Sequence, residues 1–150
     1  MLRKFVFRVL VLASVFAAPA AYAQSETQSG GGPVGIWLTQ AGDAKVNITE
    51  CDSGICGVIV WLRQPIDPAT GKPAIDDKNL NHTLDQRPMI GLPLFSGMSQ
   101  SGPNTWSGPI YNPDDGRNYA SHISVGGPNT LKVEGCVGPL CRDETWTRSQ

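Results

Sequence analysis

Alternation of apolar and polar positions predicts a series of short β-strands after residue 33. In residues 45–49 the side chains of Val46 and Ile48 share one face, which is typical of a half-buried strand. Residues 55–62 form a continuous apolar run, as expected of a strand that is covered on both faces. Helical periodicity is hard to find, because Pro and Gly interrupt most windows of helical length. The eight predicted strands are 34–39, 45–49, 55–62, 92–98, 105–111, 118–125, 130–134 and 144–148.

Short turns connect most of these strands, which favours an antiparallel meander. Asp115-Gly116 and Pro128-Asn129 are turn signals between neighbouring segments. The predicted fold class is all-β: a single eight-stranded antiparallel up-and-down barrel with one long loop and little helix. A two-sheet sandwich is the alternative. Pro109 lies inside a strand pattern, so we expect an edge, a bulge or a splayed pair of strands there.

The first 23 residues have the features of a secretory signal peptide. Three basic residues precede an uncharged, mostly apolar stretch, which ends in the small-x-small cleavage pattern Ala-Tyr-Ala. We predict a mature chain that begins at Gln24, a flexible leader over 24–33 and a β-barrel domain over 34–148. The expected location is the periplasm or the exterior of the cell. No other apolar stretch approaches the roughly 20 residues that a membrane-spanning helix needs, so no span is predicted in the mature chain.

The charge balance argues against a nucleic-acid partner. The 150-residue chain has 12 Lys and Arg and 13 Asp and Glu, for a net charge of −1. Three of the basic residues lie in the predicted signal peptide, so the mature chain keeps nine against 13 and carries −4. A nucleic-acid-binding domain would show a basic patch or stripe instead.

Four cysteines in two Cys-x4-Cys segments predict disulfides. An even count in an exported protein favours a disulfide framework, and four cysteines allow three pairings. We predict the two local pairs, Cys51 with Cys56 and Cys136 with Cys141. The alternative is a four-thiolate zinc site, although zinc spacings are usually tighter. No metal or cofactor is predicted.

The connection over residues 64–88 is too long to be a simple turn. Long loops in compact domains are uncommon and often functional, so we expect this one to control access to the barrel. It is rich in oxygen donors of the kind that calcium prefers, but their spacing does not match an EF-hand loop, and turn formation is the simpler interpretation. These donors are Asp67, Thr70, Asp76, Asp77 and Asn79.

The ordered motifs of this chain resemble a bacterial family of exported proteins known as domain of unknown function 2147. The resemblance covers nearly all of residues 34–148 and implies a fold similar to the lipocalin or calycin barrel. The motifs are Gly35-x-Trp37, Cys56-Gly57-x-Ile59-Val60-Trp61-Leu62, Asp67-Pro68-x-Thr70-Gly71-Lys72-Pro73, Arg87-Pro88-x-Ile90-Gly91, Ile110-Tyr111-Asn112-Pro113, Gly116-Arg117-x-Tyr119, Gly135-Cys136-Val137-Gly138-Pro139-Leu140-Cys141 and Thr145-Trp146-Thr147-Arg148.

The same resemblance implies a role for one residue at each end of the domain. Lipocalins carry a Gly-x-Trp on the first strand and an Arg on the last, and the Arg packs over the Trp to close one end of the barrel. Trp37 and Arg148 occupy those positions. We expect a structural contact worth about 0.5–2 kcal/mol as a cation–π stack.

No arrangement of residues predicts nucleophilic catalysis. Ser121 and His122 are adjacent, so they point to opposite sides of a strand and cannot pair. No Gly-x-Ser-x-Gly elbow is present, and the cysteines are expected to be oxidised. We therefore predict a protein that is not an enzyme and has no catalytic residues. An enzyme that uses loop carboxylates and Arg87 is the least favoured hypothesis.

The leading functional hypothesis is an exported, lipocalin-like binding module for a small apolar or amphipathic ligand. Eight-stranded barrels are just wide enough either to fill with side chains or to hold one small ligand. The alternative is therefore an envelope-associated structural or protein-interaction module with a filled barrel. Arg87 is expected either to meet an acidic ligand or to pair with an aspartate of its own loop. The candidate ligand-binding residues are Trp61, Arg87, Trp106, Tyr111 and Tyr119.

Overall fold

The protein folds as a closed eight-stranded antiparallel β-barrel in the strand order of the sequence. The structure is a computed structural model that describes residues 31–52 and 54–150, so the predicted signal peptide lies outside the described residues. The predicted fold class is confirmed, and no helix is present in the part of the chain described. The strands are β1 Gly35–Leu38, β2 Ala44–Cys51, β3 Gly54–Leu62, β4 Pro93–Gly102, β5 Thr105–Asn112, β6 Arg117–Gly127, β7 Thr130–Val137 and β8 Leu140–Ser149.

Large side chains fill the interior of the barrel. The inward positions alternate with outward ones along each strand, and aromatic and branched residues occupy them. Phe95 of β4 packs directly over Gly57 of β3, where even a Cβ atom would lie 2.3 Å from the ring. The fully buried interior residues include Trp37, Val46, Ile48, Met98, Ile123 and Leu131.

A β-bulge changes the direction of Trp61. Lys45 pairs with Trp61 and Val46 pairs with Ile59, so Val60 is an extra residue in β3. The bulge moves Trp61 from the inner face to the outer face, where it is 40% exposed. The Lys45 ammonium lies over the ring, 5.6 Å from its centre. Trp61, a candidate ligand-binding residue, therefore lies on the outer face of the barrel and not in its interior.

Strands β4 and β5 separate over half of their length. They pair only from Ser99 with Ser107 to Gly102 with Thr105. β4 turns away at Gly97, whose φ of 72° is in the left-handed region that favours glycine. Pro109 lies in the separated half and keeps its partner Ala120 on β6. The splayed pair of strands expected at Pro109 is therefore present. The nitrogen of Pro109, which carries no hydrogen, lies on the side of β5 that has no ladder with β4, so no ladder hydrogen bond is lost.

The two predicted disulfides are present and each closes a β-hairpin. Cys51 is bonded to Cys56 across the β2–β3 turn, and Cys136 to Cys141 across the β7–β8 turn. In an up-and-down barrel these turns lie at opposite ends. We call one end of the barrel the Trp37 end; it holds the β2–β3 and β6–β7 turns. The opposite end is the loop end, which holds the β3–β4 loop and the β7–β8 turn.

Candidate functional site

The long β3–β4 loop is anchored to the barrel by one buried carboxylate. Asp76 is 1% exposed, and each of its oxygens accepts hydrogen bonds. The Tyr111 hydroxyl donates to Oδ1 at 2.7 Å, and Asn79 Nδ2 donates to Oδ2 at 2.8 Å. Arg87 donates to Oδ2 from Nε at 2.9 Å and from Nη2 at 2.8 Å. Arg87 therefore pairs with an aspartate of its own loop, one of its two expected roles.

Tyr111 lies on the outside of the barrel wall, under the loop. The β5–β6 register is unbroken, and it places Trp106 and Ile110 on the inner face and Tyr111 on the outer face. The Arg87 guanidinium lies 5.2 Å from the centre of the Tyr111 ring. Burial raises the pKa of the Tyr111 hydroxyl, and its hydrogen bond to Asp76 raises it further. The buried residues of the loop, Asp76 and Asn79, thus cover the outer face of the barrel where β4 and β5 separate.

A glycine allows the loop to reach the neighbouring turn. Gly116 in the β5–β6 turn has a φ of 71°, and a Cβ atom there would lie 1.8 Å from the backbone oxygen of Lys78. A side chain at this position would therefore force the loop away from the barrel. The approach places Asn79 within 3.0 Å of the Tyr111 hydroxyl, to which its amide also donates.

A cleft opens between the loop and the two separated strands, and we call it the seam cleft. Its volume is ≈ 740 Å³. Apolar side chains and amide groups line it together, and its lining includes two arginines but no carboxylate. Such a surface suits a ligand with both an apolar and a polar part. The lining residues are Asn79, Leu80, Asn81, Leu84, Arg87, Pro93, Leu94, Phe95, Ser96, Pro109, Tyr111, Gly116, Arg117 and Asn118.

A second, shallower depression continues along β5 and β6, and we call it the outer groove. Its volume is ≈ 450 Å³, and it shares Pro109 and Asn118 with the seam cleft. At its far end Ser107 Oγ lies 2.8 Å from Nδ1 of His122. This pair was not predictable from the sequence, since only the cross-strand register of β5 and β6 brings the two residues together.

The remaining candidate residues do not converge on one site. Trp106 is a buried core residue, 9% exposed. Tyr119 is the cross-strand partner of Ile110 and so belongs to the inner face, and its hydroxyl donates to Asp115, which raises the Tyr119 pKa. Arg87 and Tyr111 meet at the seam cleft. The expected set is thus divided among the core, the outer wall and the cleft.

The oxygen donors of the loop act separately rather than as a calcium cage. Asp67 accepts hydrogen bonds from the Ala69 amide and the Thr70 hydroxyl, as in a turn. Asp76 is committed to Arg87 and its neighbours. Among residues 31–52 and 54–150, the only close group of three His, Cys, Asp or Glu side chains is Glu134 with the Cys136–Cys141 disulfide, which cannot supply thiolates.

The predicted contact between the first and last strands is present at the Trp37 end. The Arg148 guanidinium lies 4.2 Å from the centre of the Trp37 ring, and the two residues are cross-strand partners. Arg148 also donates to three backbone oxygens, those of Pro128 at 2.6 Å, Gly32 at 2.8 Å and Val34 at 2.9 Å. The indole nitrogen of Trp37 donates to the Pro33 oxygen at 2.7 Å.

Comparisons with known proteins identify a family and a fold. The model of a family described as "Uncharacterized protein conserved in bacteria (DUF2147)" matches residues 35–148. A solved structure, protein HP1028 from Helicobacter pylori, described as belonging to the lipocalin family, is similar with a TM-score of 0.64. It is 21% identical, and the match covers 78% of this chain and 82% of that chain. No curated protein matches the sequence. Within the residues described, no helix is long and apolar enough to cross a bilayer.

Proposed function

Because this chain belongs to the bacterial DUF2147 family and its barrel is lipocalin-like, we propose that it is an exported binding module for a small apolar or amphipathic ligand. The ligand would occupy the seam cleft rather than the barrel interior. The filled interior supports this placement, since buried side chains such as Phe95, Met98 and Trp106 occupy the core of the barrel. The module would bind its ligand without chemical conversion.

The composition of the seam cleft is the observation that carries the proposal. Leu80 and Leu84 of the loop offer exposed apolar area, and Asn81 and Asn118 offer amide groups. Ligand sites commonly combine a mainly apolar surface with a few placed polar groups. The volume of ≈ 740 Å³ lies within the usual range for small-molecule sites, about 300–1,000 Å³.

Export is proposed from two features of different kinds. The amino-terminal 23 residues have the charge and apolar pattern of a signal peptide. The two disulfides fit an oxidising compartment. Amino-terminal sequencing of the protein from a cell envelope fraction tests this part, and a mature chain that still carries Met1 would contradict it.

A blocking substitution tests the location of the binding site. Ser96→Trp places a large ring in the seam cleft from an exposed position, so it should abolish the binding of neutral aliphatic alcohols measured by calorimetry. Thr49→Trp is the matched control, because Thr49 is an exposed residue of β2 that is absent from the cleft lining. Binding that survives Ser96→Trp would place the site elsewhere. A wild-type protein that binds neither alcohols nor fatty acids would end the proposal.

A protein-interaction module is the second candidate, and one observation favours it. In the part of the chain that the structure describes, eight large apolar side chains are exposed in segments at the loop end, whereas Val34 is the corresponding residue at the Trp37 end. Paired substitutions such as Val137→Asp with Leu140→Asp would release a protein partner without affecting ligand binding. The eight residues are Val60, Trp61, Ile66, Leu80, Leu84, Ile90, Val137 and Leu140.

A further inference from the structure

Three cross-strand rows of different polarity lie along the outer face of β5 and β6, from the seam cleft to the far end of the outer groove. Each row joins an outward residue of β5 to its partner on β6. The first row, Tyr111 with Asn118, places an amide group in the lining of the seam cleft. The second row is small and apolar. The third row is a hydrogen-bonded polar pair. The second and third rows are Pro109 with Ala120 and Ser107 with His122.

The two depressions form one continuous path along β5. Pro109 and Asn118 line both the seam cleft and the outer groove. β4 does not pair with β5 beyond Ser107, so no strand interrupts the path from Tyr111 to the third row. Tyr111 lies four positions after Ser107, which is about 14 Å along a strand. A ligand seated in the seam cleft can therefore extend about that far before it meets the next polar group.

The polar pair at the far end keeps one ring nitrogen free. His122 Nδ1 is engaged with Ser107, whose hydroxyl also lies 2.7 Å from Ser101 Oγ. In either tautomer Nε2 remains to donate or accept one further hydrogen bond. Within residues 31–52 and 54–150, no side-chain hydrogen bond or ion pair engages that atom, and His122 is exposed.

We propose that the ligand is an elongated amphipath with polar groups at both ends, whose second polar group binds the Ser107–His122 pair. The inference rests on the proposed function, because it assigns the far end of a ligand whose near end occupies the seam cleft. Pro109 and Ala120 contact the apolar middle of the molecule. The polar–apolar–polar order of the rows selects such a ligand over a simple alcohol or a hydrocarbon.

Calorimetry with matched alcohols and diols tests the inference. Nonanol and nonanediol, which has a hydroxyl group at each end, share one chain length and differ in the second polar group. We expect the diol to bind the wild-type protein about three- to tenfold more tightly, the net value of one hydrogen bond. Hexanediol should lose this preference over hexanol, because it is too short to reach the third row.

Two variants test whether the preference for the diol arises at the Ser107–His122 pair. His122→Phe keeps the ring and removes its nitrogens, so nonanediol should bind no better than nonanol while nonanol is unaffected. Ser107→Ala should weaken the preference by freeing the His122 ring. His82→Phe is the matched control, because His82 is exposed in the loop and is absent from both linings.

The outcomes separate this inference from the proposed function. If nonanol and nonanediol bind the wild-type protein equally, the elongated ligand is wrong and the binding module remains. A diol preference that persists in both His122→Phe and Ser107→Ala overturns the assignment of the far end. If no alcohol, diol or fatty acid binds, the proposed function itself fails.

Discussion

Arg148 and Arg87 each lie over an aromatic ring, in two different regions of the protein, and they have different structural roles. Arg148 stacks on Trp37 at 4.2 Å, and Arg87 stacks on Tyr111 at 5.2 Å. Arg148 binds neutral backbone oxygens near the surface of the Trp37 end. Arg87 instead neutralises Asp76, a carboxylate with no exposed side-chain surface.

The difference lies in what each arginine leaves behind when it is removed. The carbonyl groups around Arg148 are exposed, so water can replace the guanidinium. Asp76 can recover water only if the loop leaves the barrel wall. Removing one partner of a buried ion pair leaves an uncompensated charge in the interior, which lowers the free energy of unfolding far more than the loss of a surface contact does. The Trp37 end is therefore closed by packing, whereas the loop is held by charge.

The largest effect is expected for Arg87→Ala. It should lower the free energy of unfolding by about 3–5 kcal/mol, because Asp76 loses its counter-charge in a buried site. Urea unfolding followed by circular dichroism measures this. Arg63→Ala is the control, since Arg63 belongs to the same connection but donates only to exposed backbone oxygens of Ala41 and Gly42. Equal losses in the two variants would show that the buried pair does not hold the loop.

Tyr111→Phe should have the next largest effect. The ring stays in place under Arg87, but Oδ1 of Asp76 loses its donor, and a hydrogen bond to a charged group contributes about 1.5–3 kcal/mol. The same unfolding experiment checks it. Tyr119→Phe serves for comparison, because the Tyr119 hydroxyl meets the half-exposed Asp115 and its loss should cost less. A larger loss in Tyr119→Phe would reverse the ranking of the two sites.

The Trp37 end was predictable from the strand pattern together with the family resemblance. Alternation of apolar and polar residues predicted the eight strands, and the resemblance to lipocalins implied the contact between Trp37 and Arg148 on the first and last strands. The short spacing within each Cys-x4-Cys segment likewise pointed to hairpin disulfides. Each of these inferences depends on neighbours in sequence or on closure of the barrel.

The seam cleft was not predictable, because it depends on irregularities in the ladders. One extra residue at Val60 reverses the direction of the Trp61 side chain, and the alternation of apolar and polar residues gives no sign of this bulge. The barrel wall opens where β4 separates from β5 near Gly97, and the position of Pro109 was the sequence feature that indicated this separation. Nothing distinguished Asp76 from the other loop aspartates, since its burial comes from the approach of the loop to Gly116.

Arg148→Ala should have a smaller effect than either change at the loop. The lost cation–π contact with Trp37 contributes about 0.5–2 kcal/mol, and water can satisfy the freed carbonyl groups. Thermal unfolding should show a lower midpoint, and ligand binding in the seam cleft should be unchanged because the cleft lies away from the Trp37 end. Lost binding with full stability would show that Arg148 serves the ligand instead of the barrel.

The smallest expected effect is a dependence of the Tyr111 contribution on alkaline pH. Burial and the bond to Asp76 raise the pKa of Tyr111 above its ordinary value of 10.0 in the folded state. Above that pH the unfolded chain releases the Tyr111 proton more readily than the folded one, so the stabilisation is complete below pH 10 and declines as the pH rises towards the folded pKa. The difference in unfolding free energy between the wild type and Tyr111→Phe should therefore narrow above pH 10. Urea titrations of both proteins at a series of pH values measure it, and other alkaline groups, Tyr119 included, cancel because both proteins carry them. A difference that widens with pH would mean that the folded protein stabilises the phenolate, and Arg87 rather than Asp76 would then dominate the electrostatics of the loop anchor.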